Sequence, residues 1–181
     1  MAGVKDRWTS DGARFMKQLD ELKRLQVCIG FQSGDKKRKP NEQDGKKKSG
    51  ERNVTNLDIA MWNELGTSTS PSRPFMRNSI DRHVDVIRAA AAKQIQALSS
   101  GASARQVLTV MGNIQKGLMQ HEIMTGQFAP NAEITIHGGW MRSKKTGKRF
   151  YVQGKKSDRP LVHTSQLQQS VHFVIKPKGG G

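Results

Sequence analysis

The chain has a single cysteine, one tyrosine and only 6% aromatic residues, and its 15 acidic residues are outnumbered by 31 basic ones. One cysteine excludes an internal disulfide, and the place of Cys28 between Val27 and Ile29 reads as a strand thiol in a reducing compartment rather than as a nucleophile. No uninterrupted apolar run approaches the roughly 18–20 residues needed to cross a bilayer, and the opening MAGVKDRWTSDG has no signal-peptide apolar region. The expectation is a soluble product made in the cytoplasm, with no membrane partner.

The sequence is also short of catalytic motifs. G-x-x-x-x-G-K-[ST], G-x-G-x-x-G and G-x-S-x-G do not occur. His121-Glu122 has the form of a zinc-protease start, but Thr125 stands four residues beyond His121, where the second ligand is required. The histidines at 83, 121, 137, 163 and 172 fall on different elements without metal spacing. A metal-dependent nuclease would also be basic, but it needs clustered carboxylates to hold its ion. Asp58, Glu64, Asp81, Asp85, Glu122 and Glu133 read instead as caps, helix-surface or turn residues. The expectation is therefore no enzyme, with no catalytic, cofactor or metal site.

What the chain does have is positive charge in two places. Lys36 to Arg52 holds eight basic and three acidic residues, and Arg142 to Arg159 holds eight basic and one acidic. Together they supply +12 of the net +16, so the remaining chain is nearly balanced. At 181 residues the length suits one domain, 1–181, with basic loop insertions at 33–53 and 142–159 and a flexible tail at 177–181. Such segments attract polyanions by releasing counterions from phosphates, without base contacts. The alternative is two solvated loops that keep the protein soluble. Only Phe150 and Tyr151 interleave with the basic residues, too few for a single-strand stacking platform.

Periodicity predicts an α+β fold, a small antiparallel or mixed sheet packed against two long helices and shorter ones. Phe15, Leu19 and Leu22 recur at helical spacing over 12–25, with Ser10 or Asp11 as cap. Val27, Ile29 and Phe31 alternate as a strand. Thr55 and Asp58 form a capping box before a helix of about ten residues that Gly66 ends. One long helix runs from Phe75 through Leu98, and Ser103 with Gln106 caps a second, so that the two form an αα-hairpin. Glu133 to His137 reads as a brief strand or extended turn. Thr164 or Ser165 caps a single turn, SQLQQS, before a closing strand at Val171, Phe173 and Ile175. That strand is expected to pair with 27–31.

Three stretches share a resemblance. NELGTSTSPSRPFMRNSI resembles the E-x-G-T … P-x-R-P-F-[LM]-R segment of neck and tail-completion proteins of long-tailed bacteriophages, a family that includes minor tail protein Z and virion morphogenesis proteins. GQFAPNAEITI resembles that family's G-x-[WF]-x-P-[NL]-x-x-x-T turn, and RPLVHTSQLQQSVHFVI resembles its [KR]-P-L-[IV]-D-T-G-x-[LM]-x-x-S-[IV]-x-[YF]-x-[IV] ending. They occur in family order across about residues 55 to 176. Where the family commonly has Asp-Thr-Gly, this chain has His163, Thr164 and Ser165, and its first basic segment is longer than the family's.

The resemblance implies a structural virion protein of the head–tail neck, present in the host cytoplasm during assembly. It would form a ring of six copies around the DNA channel, between head connector and tail terminator or tail tube. The interface residues expected are Arg73, Phe75 and Arg77 in the proline-set turn, and Val171, Phe173 and Ile175 on the terminal strand. Contacts to genome-end DNA or to acidic partner proteins are expected from Lys36, Lys37, Arg38, Lys39, Lys46, Lys47, Lys48, Arg142, Lys144, Lys145, Lys148, Arg149, Lys155 and Lys156. The other reading of the same charge is a sequence-independent nucleic-acid-binding protein that uses both basic loops.

Overall fold

A computed structural model of the chain describes residues 9–31, 54–143, 146–154, 158–161 and 165–179. The fold is α+β: among the described residues there are seven helices and two two-stranded antiparallel sheets. The chain divides into two compact units, one of 1–30, 78–118 and 172–181 and one of 31–77 and 119–171. No helix among the described residues is long and apolar enough to cross a membrane.

In the first unit, α1 (Ser10–Arg24) leads directly into β1 (Leu25–Gly30). Its cap is Thr9, whose hydroxyl accepts from Gly12 N at 3.1 Å, rather than the expected Ser10 or Asp11. β1 pairs with β4 (His172–Pro177) as expected, with Val27 opposite Ile175, Ile29 opposite Phe173 and Leu25 opposite Pro177. Pro177 belongs to this strand rather than to a tail, at a sheet edge where its missing N–H costs no ladder bond. Beyond it, Lys178 N donates to Arg24 O at 2.8 Å.

α3 (Phe75–Asp81) and α4 (Val84–Ser99) stand where one helix was expected, because the chain steps out of helical geometry at Arg82 and His83. α5 (Ala104–Thr125) follows after Ser100–Ser103. Its start carries the expected Ser103–Gln106 box and is further fixed by Gln18 of α1, whose Oε1 accepts from Ala104 N at 2.8 Å. Within this unit α1 packs against α4. Leu25, Leu98, Ala104 and Val107 form its buried apolar residues, and Phe173 lies against the bare backbone of Gly112.

In the second unit, α2 (Asn56–Leu65) begins at the Thr55–Asp58 capping box, both halves of which are made. Gly66 ends it at φ +77, in a position where a Cβ would stand 2.8 Å from Ser72 N. α6 (Glu133–His137) is a single helical turn, against the expected brief strand or extended turn. The alternation of Ile134 and Ile136 reads as a strand, but the Thr135 and Ile136 amides both bond the Ala132 carbonyl and Gly138 at φ +78 closes the turn.

β2 (Gly138–Arg142) and β3 (Arg149–Gln153) then form a hairpin inside what reads in sequence as a basic loop. Aromatic and β-branched residues favour the pleated strand there, and Gly147 at φ +67 permits the turn. α7 (Gln166–Gln169) is the expected short turn, but Ser165 precedes it at φ +55 without a side-chain capping bond, and Thr164 lies outside the described residues. Ala60, Phe75, Met119, Ile123, Leu161, Leu167 and Val171 are the buried apolar residues of this unit.

Candidate functional site

The second unit is organised around Arg73. The turn after α2 folds back on that helix: Ser72 Oγ donates to Glu64 O at 2.6 Å and Arg73 N to Asn63 O at 2.6 Å, using helix C-terminal carbonyls that have no partner within the helix. This places the Arg73 side chain inside, only 8% exposed. Its guanidinium donates from Nε to Ala129 O (2.9 Å), from Nη1 to Asn63 Oδ1 (3.3 Å), and from Nη2 to Pro130 O (3.1 Å) and Asn131 Oδ1 (3.3 Å). All four acceptors are neutral, and burial lowers the Arg73 pKa from its ordinary value by desolvating the charge. A lysine could not reach four acceptors in this planar fork.

Asn131 extends the arrangement. It is buried, and its Nδ2 donates to Arg159 O at 3.2 Å and to Asp158 O at 3.4 Å. Residues 63–80, 126–136 and 159–175, the three stretches singled out in the sequence, are therefore tied at Arg73, Asn131 and Arg159. Glu64 holds the next element in place: its carboxylate accepts from Met76 N (2.8 Å) and Arg77 N (3.1 Å), the open amides at the start of α3. Phe75 is fully buried and meets Phe31 edge-on, ring centroids 6.0 Å apart. Residues of the second and third stretches, with Ile123 to Thr125, line a pocket of about 270 Å³ that includes Gly126, Phe128, Arg159, Pro160 and Leu161.

These positions revise the expected roles. Arg73 is committed to acceptors of its own chain rather than free for a partner, and Phe75 and Val171 are interior. Arg77 is exposed, while Phe173 and Ile175 are half-buried on β4, with Val174 between them exposed. Glu122, expected on a helix surface, is buried. Glu64 acts as a helix cap, a role its place at the end of another helix conceals. Among the described residues no group of three or more His, Cys, Asp or Glu could hold a metal ion.

Of the expected polyanion contacts, Arg142, Lys148 and Arg149 are exposed on or beside the β2–β3 hairpin. Lys36, Lys37, Arg38, Lys39, Lys46, Lys47, Lys48, Lys144, Lys145, Lys155 and Lys156 lie outside the described residues. The strand register places Trp140 opposite Tyr151, Met141 opposite Phe150 and Arg142 opposite Arg149. The Trp140 and Tyr151 rings stand 5.6 Å apart in an edge-to-face pair, and the Arg149 guanidinium is 5.6 Å from the centre of the Trp140 ring. Trp140 escapes a reading of the basic segment because it lies just ahead of it. The usable signal is W-M-R and R-F-Y around a turn containing Gly147.

Compared with protein-family models, curated proteins and solved structures, the chain finds no match.

Proposed function

We propose that this chain is a structural protein of the neck of long-tailed bacteriophages, a ring-forming adaptor that completes the tail and joins it to the head connector. The observation that supports the reading is the Arg73–Asn131–Arg159 network. The three stretches that resemble the family are distant in sequence and carry no catalytic pattern, yet hydrogen bonds at Arg73, Asn131 and Arg159 join one to the next. Shared motifs of this kind specify a scaffold, as an adaptor requires.

A closed ring needs two different complementary patches on each subunit. Two are available: α2 exposes Met61, Trp62 and Leu65, and β4 belongs to a two-stranded sheet whose outer edge no strand among the described residues covers. A ring of six would place such patches head to tail between neighbouring copies. In this role the protein acts by binding, with the connector and the tail terminator or tube as its neighbours in the virion.

The test is a phage in which this gene is interrupted. The account expects filled heads and finished tails to accumulate separately, and purified protein added to that lysate to restore joined, infectious particles. Joined particles formed at the normal yield without the protein would overturn the proposal.

A further inference from the structure

The β2–β3 hairpin exposes more aromatic surface than its packing among the described residues accounts for. Trp140 is 63% exposed and Tyr151 59%, although they are large rings that ordinarily bury most of their area. Directly opposite residues of an antiparallel pair share a face, and side chains two apart along a strand share it too. One face therefore carries Trp140, Tyr151, Arg142 and Arg149 together.

The charge on that face is unusual for a stability device. Arg142 and Arg149 are a cross-strand pair of like charges, an arrangement that weakens a hairpin. From Gly138 to Gln153 there are five basic residues and no acidic one. The other face differs at its base, where Gly139 approaches Ile134 of α6 and the hairpin is anchored.

We propose that this face binds single-stranded nucleic acid, with Trp140 and Tyr151 stacking on bases and Arg142 and Arg149 contacting the flanking phosphates. Sequence-tolerant single-strand sites combine these two elements, aromatic platforms and a basic track. The aromatic and arginine pairs are two residues apart along each strand, about 6.8 Å, the length scale of one nucleotide. A base-paired duplex hides its base faces and offers this platform only its phosphates. A protein ligand could also use Trp, Tyr and Arg, but the unbroken positive charge of the hairpin favours a polyanion. Binding at this face is separate from the adaptor role and survives or fails independently of it.

The experiment is fluorescence anisotropy of labelled oligo(dT), and of a duplex of equal length, titrated with the full chain across a salt series. Oligo(dT) is expected to bind more tightly than duplex. W140A/Y151A should weaken oligo(dT) binding about tenfold or more, while W140F/Y151F, which keeps both rings, stays near wild type. R142Q/R149Q should flatten the salt dependence by about 0.7 log units per decade of salt for each phosphate that is no longer neutralised. Three results would overturn the proposal: duplex bound as tightly as oligo(dT), undiminished oligo(dT) binding by W140A/Y151A, or equal losses in the alanine and phenylalanine pairs. The second result, together with failure of W140A/Y151A to join heads to tails where the unaltered chain succeeds, would overturn it in favour of a protein dock at this face.

Discussion

Arg73 Nη2 and Asn131 Oδ1 stand 3.3 Å apart, and the amide nitrogen of the same Asn131 turns to the carbonyls of Asp158 and Arg159. A side chain 58 positions away in sequence thus orients the amide that holds a third segment. The arrangement predicts where this unit is most sensitive to change.

Replacing Arg73 by lysine keeps the charge but loses the fork, leaving the buried Asn131 Oδ1 and the part-buried carbonyls of Ala129 and Pro130 short of a donor. Arg73→Lys is expected to cost about 2–3 kcal/mol, and Arg73→Ala more, since a buried acceptor without its partner costs on the order of 1–3 kcal/mol. Urea denaturation followed by circular dichroism checks this. An R73K midpoint equal to wild type would mean that the four hydrogen bonds contribute little.

The Glu64 carboxylate satisfies two amides at the start of α3. Glu64→Ala should cost about 1 kcal/mol, the usual value of an N-terminal cap, and Glu64→Gln less, because one acceptor remains. Hydrogen exchange gives the more specific readout: the Met76 and Arg77 amides should exchange faster in E64A, with little change at the Ser103–Gln106 box of α5.

Gly112 lies mid-helix in α5, where alanine would ordinarily stabilise by roughly 1 kcal/mol. Here an added Cβ would stand only 2.7 Å from Phe173 Cγ, so the ring on β4 would have to move. Overpacking of this kind costs about 1–3 kcal/mol, which outweighs the propensity gain. The expected result for Gly112→Ala is a melting temperature lowered by a few degrees, partly restored when Phe173→Leu is added.

Much of the framework is legible locally. The Thr55–Asp58 and Ser103–Gln106 boxes involve residues three apart, and the Val27–Ile29 and Phe173–Ile175 alternations identify the two strands that pair. A five-residue element, and residues whose role is decided by distant partners, read wrongly. Glu133 to His137 alternates like a strand but closes as one helical turn onto β2 and β3. Arg73 looks like a surface cation until residues 129–131 arrive as its acceptors. Trp140 acquires significance only when the hairpin register sets it beside Tyr151.

The central claim is that the protein works as a ring on the tail. Its most direct test is the mass of the purified chain by light scattering, alone and with isolated tails, followed by negative-stain imaging of the tail ends. The account predicts about six copies of the 20.1 kDa chain per tail, seen as a ring at one end. A chain that stays monomeric and leaves both tail ends bare would contradict it.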